Sequence, residues 1–273
     1  MTAAASGGWR ALAAFIDRIE VPPIRIGVMV HTPGGEFFCH RADERFYAAS
    51  TIKLPIVVSL LQRVDRGELR LNRKYTTHWR DVFLRDGQGG KLDFSGGVAL
   101  PLRELMYMAI CMSDNNAANT LIDLAGFDAV NDTMAELGML DSELGRRILG
   151  RPPAPEDNWR ENWTTPADLV TLFEAILSGS AVSRISTDKL LDMLSWQENL
   201  NRLGRPYLDT PYDWGSKTGT VDRDSHDAGF VRTPAGPLVL AICTTGFPCI
   251  SEAEPVIAEI SRSIGIAAGL LPA

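Results

Sequence analysis

Tyr47-Ala-Ala-Ser50-Thr-Ile-Lys53-Leu-Pro-Ile-Val-Val58 marks a change of period in this 273-residue chain. Upstream of it, Trp9 to Ile19 has the apolar spacing of an amphipathic helix. Ile24 to Val30 then alternates as a strand, and Thr32-Pro-Gly-Gly35 reads as a turn into Glu36 to His40. Downstream the apolar residues recur at helical spacing, over Leu54 to Val64, Leu102 to Met112, Ala117 to Leu124, Ala129 to Leu137, Ala167 to Leu177 and Asp188 to Trp196. Strand signals vanish from Ser50 to about Trp196 and return at Tyr212 to Lys217, Gly229 to Thr233 and Leu238 to Thr244. An amphipathic helix from Glu252 to Ile264 closes the chain. Strands at both ends around a helical middle predict an α+β fold. One largely antiparallel sheet would be assembled from residues 1–49 and 205–273, with an all-α unit of residues 50–204 inserted and the active-site cleft at the junction.

The length supports a full hydrophobic core, and 45% hydrophobic with 22% charged residues is ordinary for a folded globular protein. With 27 Lys and Arg against 34 Asp and Glu, the net charge is −7 and no basic run occurs. Nucleic acids and anionic membranes are thereby disfavoured as partners, and a small-molecule substrate is expected. No apolar stretch is long enough to span a bilayer. The first fifteen residues lack a basic region followed by an uninterrupted apolar one, so no signal peptide is read; the chain is cytoplasmic as it stands, or exported with its leader removed. Cys39, Cys111, Cys243 and Cys249 show no paired spacing, and free thiols are expected.

Several catalytic systems are missing. No Ser has Gly at both −2 and +2, and neither of the Gly-rich nucleotide motifs occurs. His31, His40, His78 and His226 are scattered without ligand spacing, so neither a metal nor a cofactor is expected. Ser50-Thr-Ile-Lys53 stands out, because on a helix i and i+3 share a face and the Lys53 amine can reach the Ser50 hydroxyl. Burial among Leu54, Ile56, Val57 and Val58 would favour the neutral amine that a base requires. A second copy, Ser186-Thr-Asp-Lys189, lies in polar surroundings and reads as a helix N-cap. Two further motifs follow in order: Ser113-Asp-Asn115 at the junction of two helical runs, and Lys217-Thr-Gly219 at the end of a strand. The Met106, Tyr107, Met108 and Met112 stripe reads as helix core.

These motifs, with Asn162-Trp-Thr-Thr-Pro166 and the Leu238 to Gly246 strand, resemble the penicillin-recognising serine hydrolases, and most closely the class A β-lactamases, over nearly the whole chain. The resemblance implies an α/β sandwich with a five-stranded antiparallel sheet plus an all-α domain, in a monomer. It implies that Ser50 is acylated, that Lys53 and Ser113 shuttle protons, that Asn115 holds a substrate amide, and that Lys217, Thr218 and Gly219 form the carboxylate-binding strand. The N–H groups of Ser50 and Thr220 would form the oxyanion hole.

Two departures bear on mechanism. Efficient β-lactam hydrolases of the family carry a Glu seventeen residues before the Pro of the Thr-Thr-Pro segment, where this chain has Leu149. Leucine cannot accept the proton of a deacylating water, and Glu156 or Asp157 is the substitute in view. Arg147 and Asn162 are expected to pin the neck of that loop. Relatives often place a carboxylate-binding Arg after the Lys-Thr-Gly strand, where this chain has Asp227; Arg223 or His226 would substitute. The expectation is a Ser50 acyl-enzyme with slow deacylation. The alternatives are a D-alanyl peptidase, amidase or esterase, or a non-catalytic penicillin-binding sensor.

Overall fold

The computed structural model describes residues 7–77, 97–148 and 160–273. Helix α1 (Gly7–Ile19) leads into strands β1 (Arg25–His31), β2 (Phe37–His40) and β3 (Phe46–Tyr47). A 3₁₀ turn (Ala49–Ile52) then runs directly into α2 (Lys53–Asp65). After β4 (Lys74–Thr76) and β5 (Ala99–Pro101) come α3 (Leu102–Cys111), α4 (Asn115–Ala125), α5 (Phe127–Glu136), β6 (Trp163–Thr164), α6 (Pro166–Leu177) and α7 (Arg184–Ser195). The chain finishes with β7 (Trp214–Val221), β8 (Asp224–Thr233), β9 (Gly236–Thr245) and α8 (Ile250–Ala267).

The five-stranded sheet has the order β2-β1-β9-β8-β7 and is antiparallel throughout, so strands from the two ends of the chain pair at β1 and β9. Its side chains alternate between two cores, as the period of two requires. Leu238, Leu240 and Ile242 pack with Leu12 and Ile16 of α1 and Ile257, Ile260 and Ile264 of α8. Val239, Ala241 and Cys243 face the helical side, with Phe173 of α6 and the apolar residues of α2. The result is the α+β architecture expected, and β7 is left as an edge strand facing the helices. Among the described residues no helix is long and apolar enough to cross a membrane. Cys39, Cys111, Cys243 and Cys249 are all free.

Four expectations need correction. The helical block is not free of strands: β3 pairs with β6 and β4 with β5, in ladders of two and three residues that are too short to show a period. Strand β7 runs on through Lys217-Thr-Gly219 to Val221, so that motif is mid-strand. Strand β8 begins at Asp224 rather than Gly229, because Ser225, His226 and Asp227 are buried polar residues that give no apolar signal. Ser183, not Ser186, caps α7, and the Ser186 hydroxyl donates to Asp65 instead.

Gly229 shows how tightly the sheet closes: a Cβ there would lie 2.2 Å from the Gly215 carbonyl oxygen on the neighbouring strand. Gly229→Ala should therefore lower the unfolding free energy by at least about 3 kcal/mol in a urea titration, and a change within about 0.5 kcal/mol would contradict this packing.

Candidate active site

Ser50 stands in the 3₁₀ turn, directly after Ala49, whose φ of 46° lies in the left-handed region that a side chain disfavours. Neighbours hold that backbone in place. Asn162 accepts the Ala48 N–H through its backbone oxygen at 2.8 Å, and the Ala48 oxygen takes both the N–H and the hydroxyl of Thr51. One residue earlier, the Tyr47 oxygen accepts from His226 Nε2 at 2.8 Å. The other His226 nitrogen, Nδ1, accepts the Thr244 N–H, which places the ring proton on Nε2. Burial pushes this imidazole down to about 4, so it is neutral near pH 7. Fully buried and with both nitrogens engaged, His226 supports the Ser50 turn from behind and is not among the residues lining the cleft.

Lys53, the first residue of α2, is fully buried. Its Nζ donates to the Ser113 backbone oxygen at 2.6 Å, the Ser113 hydroxyl at 3.2 Å and Asn115 Oδ1 at 2.7 Å, three acceptors for the three protons of an ammonium. Ser113 lies between α3 and α4 with a φ of 55°. Asp114 caps α4 through the Ala117 N–H, and Asn115 opens that helix. From the sheet side, Lys217 on β7 donates to the same Ser113 hydroxyl at 3.1 Å and to the Thr218 oxygen at 2.7 Å. Burial pushes the Lys217 amine down to about 7; nearby Asp227 opposes the shift and Arg202 adds to it. Gly219 lets β7 approach closely, since a Cβ there would lie 3.0 Å from Thr51 Cγ2 and 3.2 Å from the Ala48 oxygen.

Ser50, Ser113, Asn115, Thr218 and Thr220 line one cleft of about 560 Å³, together with Tyr47, Ala49, Met112, Ile148, Val221, Ile250 and a wall of Gln197, Glu198, Asn199 and Asn201. Lys53 and Lys217 lie buried behind it. Three motifs separated by tens of residues thus converge. Met112, read as core, packs against the core and also lines the cleft, because α3 ends where the cleft begins. Arg223 is exposed in the turn between β7 and β8 and is not among the lining residues. Leu149, Glu156 and Asp157 lie outside the described residues. Among the described residues no three His, Cys, Asp or Glu side chains gather as metal ligands.

The neck of the loop is pinned differently from the expected Arg147–Asn162 pair. Arg146 forms the ion pair, with Glu161, and also donates to the Tyr47 hydroxyl at 2.9 Å. Asn162 Oδ1 accepts the Gly145 and Arg146 N–H groups, each at 2.9 Å, while Arg147 pairs with Asp123. An asparagine oxygen suits two backbone donors as well as a carboxylate would, without needing a cation.

Arg202 is the residue that sequence reasoning missed. Its guanidinium is 1% exposed and donates to the Gly219 oxygen at 3.0 Å, the His226 oxygen at 2.9 Å and the Thr220 hydroxyl at 2.6 Å, and it pairs with Glu254 at 3.2 Å. It follows a polar, aperiodic stretch after α7, which carries no signal of burial.

The family model described as the beta-lactamase enzyme family matches residues 10–267. Beta-lactamase BRO-1 of Moraxella catarrhalis is 30% identical over 199 residues, 72% of this chain, and the match spans only 62% of that protein's length. The solved beta-lactamase of Sphaerobacter thermophilus is 40% identical with a TM-score of 0.89, covering 97% of this chain and 98% of that one. PBP-A is 26% identical with a TM-score of 0.82 over 97% of each chain; a leucine-to-glutamate variant of it has been solved as an acyl-enzyme complex with penicillin-G.

The depressed Lys217 amine has a consequence for stability. Between about pH 7 and 9 the unfolded chain holds a proton at this lysine that the folded protein has released, so stability rises with pH across that window. Lys217→Met should flatten the rise in urea titrations at pH 7, 8 and 9; an unchanged slope would show that the amine titrates normally.

Proposed function

The chain belongs to the beta-lactamase enzyme family, and from that membership we propose that it is a serine hydrolase acting on β-lactam or related amide and ester substrates through an acyl-enzyme on Ser50. The observation that carries the reading is the Ser113 hydroxyl, which receives Lys53 at 3.2 Å and Lys217 at 3.1 Å in the cleft that Ser50 lines. In this mechanism Lys53, having passed a proton on, accepts the Ser50 hydroxyl proton as Oγ attacks the carbonyl carbon. The oxyanion forms between the N–H groups of Ser50 and Thr220, each donor contributing about 3 kcal/mol because the charge appears only in the tetrahedral state. As the C–N bond breaks, Ser113 gives its proton to the departing nitrogen and is reprotonated from the lysine side. Asn115 holds the substrate's side-chain amide.

The substrate carboxylate meets Lys217 and the Thr218 hydroxyl. Thr220 adds a donor, since Arg202 at 2.6 Å fills the acceptor role of its hydroxyl and leaves its proton for an anion. The guanidinium expected from the strand after Lys-Thr-Gly is thus supplied from the segment following α7.

Deacylation is slow in this reading, because Leu149 stands where a carboxylate base is needed. Likeness to PBP-A favours a second reading, in which the acylation half serves a D-alanyl peptidase, amidase or esterase and β-lactams are slow inhibitors.

Incubation with benzylpenicillin, followed by intact mass, should give a persistent adduct on the protein and none on Ser50→Ala. Rapid product formation without a lasting adduct would overturn slow deacylation, and no adduct with either a penicillin or a serine-directed phosphonate would overturn Ser50 as nucleophile. Leu149→Glu alone should leave the adduct lifetime within about threefold of the parent, because the loop also lacks the family's supporting Asn; full turnover by that variant would show that the single carboxylate suffices.

A further inference from the structure

Tyr47 stands three residues before Ser50 on the short strand β3, opposite Trp163. Successive strand residues face opposite ways, and since Phe46 enters the core, Tyr47 turns to the cleft and lines it. The loop neck holds its ring in place. Arg146 donates to the phenol oxygen at 2.9 Å, its guanidinium carbon lies 5.5 Å from the ring centroid, and Glu161, on the other limb of the neck, pairs with that guanidinium. A phenol both accepts and donates. Arg146 fills the accepting side, and no group among the described residues takes the proton. Burial holds the phenol above the ordinary tyrosine range, so the O–H is intact at neutral pH. The acyl-transfer steps leave this donor without a task.

Strand β7 shows which part of a substrate would meet it. In the acyl-enzyme reading Lys217 and Thr218 take the carboxylate and the Thr220 N–H takes the carbonyl oxygen, and the strand then runs on to Val221. The acyl side chain lies across the carbonyl from the carboxylate and is therefore carried toward Val221. Tyr47 is at this end of β7, because His226, the partner of Gly219 in the ladder, reaches the Tyr47 backbone oxygen. Ala49, Ile148 and Val221 line the same cleft with apolar side chains, to which Tyr47 adds a phenolic donor.

We propose that Tyr47 is a specificity-determining residue of the acyl side-chain subsite, donating its phenol proton to a neutral acceptor oxygen on that side chain, such as a second amide or urea carbonyl. The inference rests on the acyl-enzyme reading above and deepens it to a substrate class. A wholly apolar side chain would cover the phenol proton without an acceptor, which costs the donor its hydration. A carboxylate fits less well than a carbonyl. Glu161, Asp222 and Asp224 act on the phenol from the neck and from the turn between β7 and β8, and against them stands Arg146, already paired with Glu161.

The test compares benzylpenicillin, whose side chain has no acceptor beyond its amide, with azlocillin, whose side chain adds two neutral urea carbonyls. Acylation rates are followed by intact mass in the parent and in Tyr47→Phe, which keeps the ring and removes the O–H. Azlocillin should acylate the variant about tenfold more slowly than the parent, the loss expected of one hydrogen bond to a neutral acceptor, and benzylpenicillin should change by less than twofold. Equal slowing of both compounds would reduce Tyr47 to a support of the Ser50 turn and overturn the proposal; so would no change with either. A second readout needs no variant. Of the five tyrosines in the chain only Tyr47 lines the cleft, so in protein labelled at tyrosine ¹³Cζ its resonance should move further on acylation by azlocillin than by benzylpenicillin. Equal movement would overturn the proposal even if a melting curve showed Tyr47→Phe to be unfolded. Neither adduct nor product with either compound would instead overturn the acyl-enzyme reading, on which the side-chain subsite depends.

Discussion

One hydroxyl, that of Ser113, holds the cleft together. It receives a lysine from the start of α2 and another from the middle of β7, segments that belong to opposite sides of the molecule. Hydrogen bonds near 3 Å tolerate little displacement, so the helices and the sheet edge must be fixed against each other to within a fraction of an ångström. The rest of the local structure serves that requirement. Ser113 is kept in a left-handed conformation by the Lys53 bond to its backbone oxygen and by the Asp114 cap that follows it. Gly219 carries no side chain that would force β7 away from the Ser50 turn.

Charge is the second constraint. A chain of net charge −7 concentrates Lys53, Lys217 and Arg202 within a single buried region at its cleft. Each of these basic side chains is held by oxygen atoms supplied from a different element: Ser113 and Asn115 for Lys53, the Thr218 carbonyl for Lys217, and the edge-strand backbone with Glu254 for Arg202. Burial drives the Lys217 amine down, to about 7. The two lysines share one hydroxyl.

Much of the fold was legible in the sequence because its apolar residues keep clean periods. The alternating runs around Val28 and Leu240 and the helical runs of α2 to α7 follow directly from where apolar side chains recur. Legibility failed where polar residues are buried or elements are very short. The first half of β8 reads as polar and is interior, the two small ladders are below the length at which a period can be seen, and α7 starts two residues before the serine that resembled its cap. The site motifs were legible for a different reason: Ser50-x-x-Lys53, Ser113-x-Asn115 and Lys217-Thr-Gly219 are local patterns of particular residue types, and such patterns survive in one dimension.

Sequence by itself determined that this is an α+β protein of the penicillin-recognising serine hydrolase type, carrying Ser50, Lys53, Ser113 and Lys217 in the family's order and leucine where the family's deacylating glutamate would be. Tertiary structure alone decided which cations and anions meet. Arg202, His226 and Asp227 carry no distinguishing local pattern. Their parts depend on hydrogen bonds to Thr220, Tyr47 and Leu203, partners between 18 and 179 residues away. Such contacts exist only once the sheet has brought both ends of the chain together around the helices, because no local periodicity encodes the direction in which a buried polar side chain will find its partner.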